Sequence, residues 1–569
     1  MSLPGEDLAM TAAAHKAEAP GLGAERILVL ERALMQWKEI SVSASEPAIL
    51  GKVTARATAE GPIIGIDLGT TNSAVSIVER ARPRVIPSRR GYNTIPSVVA
   101  LSPMGELLVG HAAKSQMEIN PKNTIYGSKR MVGRPFDSPI VRAGRDRFHY
   151  EIVPGKGNLA AIRMGERIMS LEEVSAKILE ELRNVAQEHL GRPVERAVIT
   201  VPAYYNENQR RAIRRAGALA GLKVERILNE PTAAALTYGY KRLLTQKVFV
   251  YDLGGGTFDA SILEINGNVY EVLATGGDIF LGGLDFDSQI MDYVLLQFHG
   301  HLGRLPLMER ASFLRVLQGA ECAKCLLSTT REARVHLPCI GYLDGKPVDL
   351  DVPLSKAEIE ELVVPLIRRT LEVCDAVMAR AGLRREDLDA ILLVGGQTRM
   401  PLVQSMLREH FAREPIKGLH PDEAVALGAS LSEGEASSGI DGVFLIDVLP
   451  VTVGIGYPGR RFFPVLESGT TTPKTRTLQI PTAFDNQGVM VIPVFQGEGL
   501  QALENECLGC VYIPGIAPAP AGQQHVEVSF TLTRECQVAV TYKDPQSGAQ
   551  RVADLSSAES VMPLLARLG

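Results

Sequence analysis

Two short stretches combine residue types suited to holding a polyphosphate. In the first, the apolar run Ile63-Ile64-Gly65-Ile66 leads into Asp67-Leu68-Gly69-Thr70-Thr71. In the second, Val248-Phe249-Val250-Tyr251 leads into Asp252-Leu253-Gly254-Gly255-Gly256-Thr257. Glycines let a backbone turn tightly and present N–H groups to phosphate oxygens. An aspartate at a strand end supplies a hard oxygen that suits a hydrated Mg²⁺. One such turn alone is as readily an ordinary β-turn. Two matched copies, each closing a strand with Asp, predict two lobes that grip one polyphosphate from opposite sides. No Gly-Lys-Ser or Gly-Lys-Thr occurs, which excludes a P-loop as the source of nucleotide binding.

Loops of this kind need a strand on each side. The following strands read as Ala74 to Val78 and Phe258 to Leu263. From Gly61 to about Ile440, short apolar strands alternate with helical segments, the pattern of an α/β fold. After Val443 the period changes: Val526, Val528, Phe530 and Leu532 alternate with polar residues, as do Val538, Val540 and Tyr542. This predicts an antiparallel β domain. The expected division is an extension at 1–60, a nucleotide-binding domain at 61–440, a linker at 441–447, a β-sandwich at 448–554 and a tail at 555–569. Within the extension, Ile27, Leu28, Leu30, Leu34 and Trp37 mark one amphipathic helix, and the segment otherwise reads as bland.

Composition narrows the function classes. The 569 residues are 45% hydrophobic and 22% charged, which fits a soluble chain of more than one domain. A net charge of −5 and a pI near 6.1 give no footprint for nucleic acid. The longest apolar candidate, Val443 to Ile455, is broken by Asp447 and Pro450, so no membrane partner is expected. The odd count of 7 cysteines and the lack of an apolar leader point to a reducing, cytoplasmic location. Cys322/Cys325 and Cys507/Cys510 have zinc-like spacing, but they fall in different expected domains, and zinc is the disfavoured reading.

Six stretches carry a resemblance. They are Ile66-Asp67-Leu68-Gly69-Thr70-Thr71-Asn72-Ser73, Val201-Pro202-Ala203-Tyr204-Tyr205-Asn206, Asn229-Glu230-Pro231-Thr232-Ala233-Ala234-Ala235, Tyr251 to Asp259, Leu393 to Pro401, and Pro421-Asp422-Glu423-Ala424-Val425. On these the chain resembles the DnaK-type heat-shock chaperones from residue 61 to about 554. Sugar kinases and actin share the fold but are not expected to carry all six. The resemblance implies a two-lobed, actin-like (ribonuclease-H-like) ATPase followed by a peptide-binding sandwich. Its cofactors would be ATP and Mg²⁺, with K⁺ as a further candidate ion.

The resemblance also implies roles. Gly69, Thr70 and Thr71 match the first phosphate loop, and Gly254, Gly255, Gly256 and Thr257 the second. Asp67 and Asp252 match the acids that hold Mg²⁺ through water, with Asp259 nearby. Lys129 matches the lysine that reaches the γ-phosphate, and Glu230 the carboxylate that orients the attacking water; with Asp252 and Thr257 these form the catalytic set. Taken alone, Lys129 would be a surface lysine and Glu230 a helix-start residue. Glu321, Lys324 and Ser328 match one wall of the adenosine site, and Gly395, Gly396, Arg399 and Asp422 the other. Cys325 stands where the family commonly has an arginine beside the adenine, and a thiol cannot stack as a guanidinium does.

Pro202 and Arg210 resemble the relay between the nucleotide and the second domain; by itself, Arg210 would face solvent on a helix starting near Asn206. Val443-Phe444-Leu445-Ile446 resembles the interdomain linker, with a buried first strand of the β domain as its rival reading. Arg226, Asn229 and Thr232 match positions that meet a J-domain partner, although Asn266 replaces an acid expected on the neighbouring hairpin. The implied partners are unfolded polypeptides, a J-domain co-chaperone and a nucleotide exchange factor. In the sandwich, Ile455, Ile480, Ala483, Met490 and Ile492 are the peptide-pocket candidates, each equally able to be core. Tyr457 and Pro458 fall where an arch over the peptide is expected. Leu555 to Gly569 is too short for the family's helical lid, so a lid is not expected. The leading reading is an ATP-driven chaperone for extended apolar segments. Its rival is an actin-fold protein dedicated to one partner. A small-molecule kinase would leave the β domain unexplained.

Overall fold

The structure, a computed structural model, describes residues 41–45, 61–242, 244–433, 443–457, 460–553 and 555. A short strand, β1 (Ser41–Ser45), comes first in the chain. The first lobe is built on β2 (Ile63–Asp67), β3 (Asn72–Glu79), β4 (Arg82–Val85), β5 (Arg196–Val201) and β6 (Lys223–Asn229), in the order β6-β5-β2-β3-β4. β2, β3 and β4 form an antiparallel meander, and β5 and β6 add in parallel beside β2. The second lobe repeats this plan. It holds β7 (Thr245–Leu253), β8 (Phe258–Asn266), β9 (Val269–Asp278) and β10 (Ala390–Val394), with β10 parallel to β7. Covered on both faces, the central strands are almost continuously apolar: in β5 every residue from Ala197 to Val201 is buried.

Helices pack on both sheets. They are α1 (Leu171–Leu190), α2 (Glu207–Leu219), α3 (Glu230–Gly239), α4 (Gly283–Leu302), α5 (Arg310–Leu327), α6 (Lys356–Ala381) and α7 (Ala424–Leu431). Their limits follow local chemistry. α1 opens with a capping box of Ser170 and Glu173 and stops at Gly191, whose φ is 64°. α2 opens with Asn206 and Gln209 in the same reciprocal pairing. The two lobes meet where α3 crosses α7. A Cβ placed on Gly428 would lie 1.7 Å from the Ala233 carbonyl oxygen, so this backbone-to-backbone contact requires glycine. One apolar cluster joins both lobes here, with Val198 and Leu228 from the first and Val250 and Leu392 from the second.

The linker run forms β11 (Phe444–Ile446), which adds in parallel to the edge of β9, Phe444 opposite Val269, Leu445 opposite Tyr270 and Ile446 opposite Glu271. It is a strand of the second lobe's sheet, not the first strand of the sandwich. The sandwich follows: β12 (Val453–Tyr457), β13 (Arg461–Leu466), β14 (Lys474–Pro481), β15 (Val489–Gln496), β16 (Glu506–Pro514), β17 (His525–Leu532), β18 (Val538–Lys543) and β19 (Gln550–Val552). One sheet runs β13-β12-β15-β16 and the other β1-β14-β17-β18-β19. Of residues 1–60, read as a bland extension, the described part is β1, the edge strand of that second sheet. The helix expected around Ile27 to Trp37, Pro458 of the expected arch, and the tail beyond Leu555 lie outside the described residues.

Candidate active site

β2 and β7 deliver Asp67 and Asp252 to the same cleft from opposite lobes, and their glycine turns face each other. A Cβ on Gly255 would lie 1.9 Å from Thr71 Oγ1, and one on Gly256 2.3 Å from Thr70 Cγ2. Lys129 sits on a 3-10 turn, Ser128–Arg130, and Glu230 opens α3. Their side chains meet at 2.6 Å, both more than nine-tenths buried. The Tyr205 hydroxyl donates to the Lys129 carbonyl at 2.6 Å and fixes that turn. Arg130 donates to the Gly256 carbonyl at 2.7 Å and to Asp285 at 2.5 Å, which pins the second glycine turn from the first lobe. Thr257 and Asp259 are buried just beyond it.

This end of the cleft is crowded with acids. Burial first, and then the Glu230 carboxylate, push Asp67 to about 7 and Asp259 to about 7. The same two causes, with Asp259 and Asp67 added, push Asp252 well above the carboxylate range. Three such acids around one lysine are a costly arrangement that a cation relieves. The donor set is hard oxygen, as Mg²⁺ prefers. Among the described residues no three His, Cys, Asp or Glu side chains stand close enough to enclose an ion. Thr71 Oγ1 is buried without a partner between the two turns, where a phosphate oxygen would satisfy it.

From this acid end a cavity of about 620 Å³ runs to Glu321, Lys324, Cys325 and Ser328 on and just after α5, and to Gly395, Gly396, Arg399 and Asp422 opposite. Its size suits a nucleotide. Lys324 pairs with Asp287 at 2.8 Å, and burial pushes Asp287 up to about 6 despite that partner. Arg399 pairs with Asp422 at 2.6 Å, and Lys114 reaches Glu321 at 3.8 Å across the mouth. Cys325 lines the cavity as a free thiol, raised by burial. Sequence reasoning missed Arg130, Tyr205, Asp287 and Lys114. Arg130 and Tyr205 adjoin recognised motifs; Asp287 and Lys114 carry no local signal.

The coupling candidates form a continuous polar path. The Pro202 carbonyl accepts from Tyr205 N at 3.2 Å. Arg210 is buried, contrary to its reading as a solvent-facing helix residue. It donates to the carbonyls of Ala203 and Tyr205 and, at 2.6 Å, to Asn229 Oδ1. Asn229 Nδ2 in turn donates to Asp447, directly after β11, at 2.6 Å. Val443 and Leu445 pack on the apolar cluster between the lobes, Ile446 is half-buried and Phe444 is exposed. The sandwich itself rests on α2. Arg134 pairs with Glu506 and Arg214 with Glu535, each at 2.8 Å. Glu207 N donates to Gln496, and Val538 N donates back to Glu207.

Two groups of candidates are largely buried in the structure. Asn229 and Thr232 are buried, and Arg226 pairs with Glu433 at 3.5 Å, so Asn229 and Thr232 offer no surface to a J-domain in this arrangement. Ile455, Ile480, Met490 and Ile492 each have 0% exposure inside the sandwich core, with Ala483 packed against it. They form core here, because both faces of β12 and β15 are covered. The cysteine pairs stay apart: Cys322 and Cys325 are exposed on α5, and Cys507 and Cys510 are buried on β16.

Two lobes of one plan, closing acid-lined glycine turns on a nucleotide-sized cleft, with a β-sandwich hung on a strand-forming linker, define an actin-like ATPase coupled to a second domain. The family model described as Hsp70 protein matches residues 63–562. The mitochondrial heat shock 70 kDa protein of Dictyostelium discoideum is 42% identical over 493 residues, covering 86% of this chain and 75% of that protein. The chain belongs to the Hsp70 family. It is an ATP-dependent molecular chaperone and an ATP hydrolase, of a family that binds ATP with Mg²⁺, unfolded polypeptides and co-chaperones. The dedicated-partner reading is not favoured. The cytoplasmic expectation is overturned by the same comparison, since that relative is a mitochondrial protein.

Proposed function

We propose that Lys129 and Glu230 are the catalytic pair of the ATPase, with Asp252 and Thr257 completing the site. The observation that carries this reading is the buried 2.6 Å Lys129–Glu230 contact between the two glycine turns. Lys129 supplies positive charge where charge develops on the transferred phosphoryl group, and Glu230 lies beside it to accept a hydrogen bond from water. Positioning and charge stabilisation are most of what phosphoryl transfer asks of a protein. Asp67 and Asp252 would hold Mg²⁺ through water, which neutralises phosphate charge. Thr70, Thr71, Gly69 and Gly254 to Gly256 would cradle the phosphates. Glu321, Lys324, Ser328, Gly395, Gly396, Arg399 and Asp422 would hold the nucleoside. A K⁺ site, a J-domain partner and an exchange factor belong to the same reading.

The deciding experiment is single-turnover ATP hydrolysis by Lys129→Ala and Glu230→Gln, with and without an unfolded apolar peptide. Both variants should bind ATP and hydrolyse it at least about 100-fold more slowly, the usual effect of removing a preorganised charge donor. Hydrolysis at the wild-type rate would remove both residues from the mechanism.

A further inference from the structure

The edge of the sandwich's second sheet is filled by the chain's own N-terminal side. β1 runs antiparallel along β14 with Ser41 opposite Gln479, Val42 opposite Leu478, Ser43 opposite Thr477, Ala44 opposite Arg476 and Ser45 opposite Thr475. An open strand edge is a template for another strand, and here the template is taken in cis. The two sequences are matched in period. On its outer face β14 makes a polar ladder with β17: Thr475 to Thr531 at 3.1 Å, Thr477 to Ser529 at 2.8 Å and Gln479 to Glu527 at 2.9 Å. On its inner face Leu478 and Ile480 belong to the core. The register sets the three serines of β1 opposite the ladder positions and Val42 opposite Leu478. A slip of one residue would reverse that match, so the pairing is specified by pattern as well as by geometry.

The topological consequence is a second connection between the domains, covalent at the first lobe and held by the pairing of β1 with β14 at the sandwich. Ser45 ends a strand of the sandwich, and Ile63 begins the first lobe. From Ser45 to Gly61 the chain has about sixteen residue steps, which span roughly 53–58 Å at full extension. The other connection is β11, on the opposite side of the ATPase sequence. A second tether keeps the sandwich close to the lobes even when the linker lets go, and so raises the effective concentration for re-docking.

We propose that residues 41–45 are a built-in edge strand of the sandwich, and that through it the N-terminal segment acts as a second tether favouring the arrangement in which β11 is paired to β9. The test uses the full chain in two forms. In the first, Ser43→Cys is combined with Thr477→Cys, whose positions are directly opposed at a separation a disulfide can span. Mild oxidation followed by peptide mapping should find this bond within one chain, and not in the pair Ser43→Cys with Gln479→Cys. In the second, hydrogen exchange is followed in wild type and Ser43→Pro, which places in the middle of β1 a residue that strands accept poorly. Exchange of β14 amides and of the linker amides 443–447 should both quicken at least about 10-fold in the variant. Absence of the 43–477 bond, or its formation only between two chains, would overturn the cis strand. Faster β14 exchange with unchanged linker exchange would overturn the tether.

Discussion

The seat of the sandwich on the first lobe can be weighed at one ion pair. Arg134 meets Glu506 at 2.8 Å, with side chains only 10% and 16% exposed. The other Glu506 oxygen accepts from Asn208 Nδ2 at 3.3 Å, and Arg134 also donates to Gln209 at 3.0 Å. Exposed ion pairs contribute about 0–1 kcal/mol. Hydrogen bonds to charged groups contribute about 1.5–3 kcal/mol, and loss of one partner leaves the other poorly paired. This pair is mostly buried yet reaches water on undocking, which limits the penalty, so Glu506→Gln should weaken docking by about 1.5–2.5 kcal/mol. At about 1.4 kcal/mol per decade, that is roughly a 10- to 60-fold fall in the docked-to-undocked ratio. Hydrogen exchange of the linker amides reads this ratio, since the Phe444 amide donates to the Asn268 carbonyl only when β11 is docked. A cycle with Arg134→Gln isolates the pair, and the coupling should exceed about 1 kcal/mol. Additive effects within about 0.5 kcal/mol would refute the reasoning and shift the docking energy to the backbone contacts of Glu207, Gln496 and Val538.

Other outcomes follow from the same geometry. Lys129→Ala should leave calorimetric ATP affinity within a few-fold of wild type while hydrolysis falls as stated above. Cys325→Arg should tighten nucleotide binding by placing a planar cation at the cavity wall, and unchanged affinity by calorimetry would show that the space is already served. Gly428→Ala should lower the melting temperature, because its methyl meets the Ala233 carbonyl; the cost expected of overpacking is about 1–3 kcal/mol or more. Burial raises the Glu207 carboxyl at the domain interface, where it faces Arg210, Arg211 and Arg214 from its own helix and Val538 N from the sandwich. The folded protein therefore binds that proton more tightly than the unfolded chain. The melting temperature should gain from this group as pH falls through the raised value, level off below the ordinary carboxylate value near about 4.3, and lose this dependence in Glu207→Gln.

The nucleotide site was legible because its chemistry is local. Each glycine turn and its aspartate lie within a few residues, and the duplication itself carries the two-lobed plan. Lys129 and Glu230 are over a hundred positions apart, and only their motif contexts drew them together before the 2.6 Å contact did. What stayed hidden is long-range. The burial of Arg210 depends on Asn229 and Asp447, contributed by β6 and the linker. β1 could not be found because five small residues have no period strong enough to announce a strand without β14 beside them. The pocket candidates were ambiguous for a different reason. Ile455 and Met490 are apolar whether they face a peptide or a core, and only the packing of the two sheets decides between these.

That packing also explains why the pocket candidates are sealed in this arrangement. β15 carries Met490 and Ile492 and ends at Gln496, which makes contacts on two sides. Its Oε1 accepts from Glu207 N at the start of α2, and its Nε2 donates at 3.2 Å to the carbonyl of Val451, which lies between the linker and β12. Thr452 beside it is held twice by Glu498, at 2.9 and 3.0 Å. α2 is the helix that carries Arg210, and Arg210 reaches Asn229, one residue before Glu230. Contacts thus run from Asn229, beside Glu230, through Arg210 and α2 to Gln496 on β15, and through Asp447 to the segment before β12. Both sets end at or near the two strands that carry Ile455, Met490 and Ile492. For these side chains to meet an extended peptide, β12 and β15 must separate from their present cover, which is the other sheet of the sandwich, and the contacts made to the ATPase lobes add to what holds them. Coupling of this kind needs no signal other than two packings of the same strands, one held by α2 and the linker and one free of them.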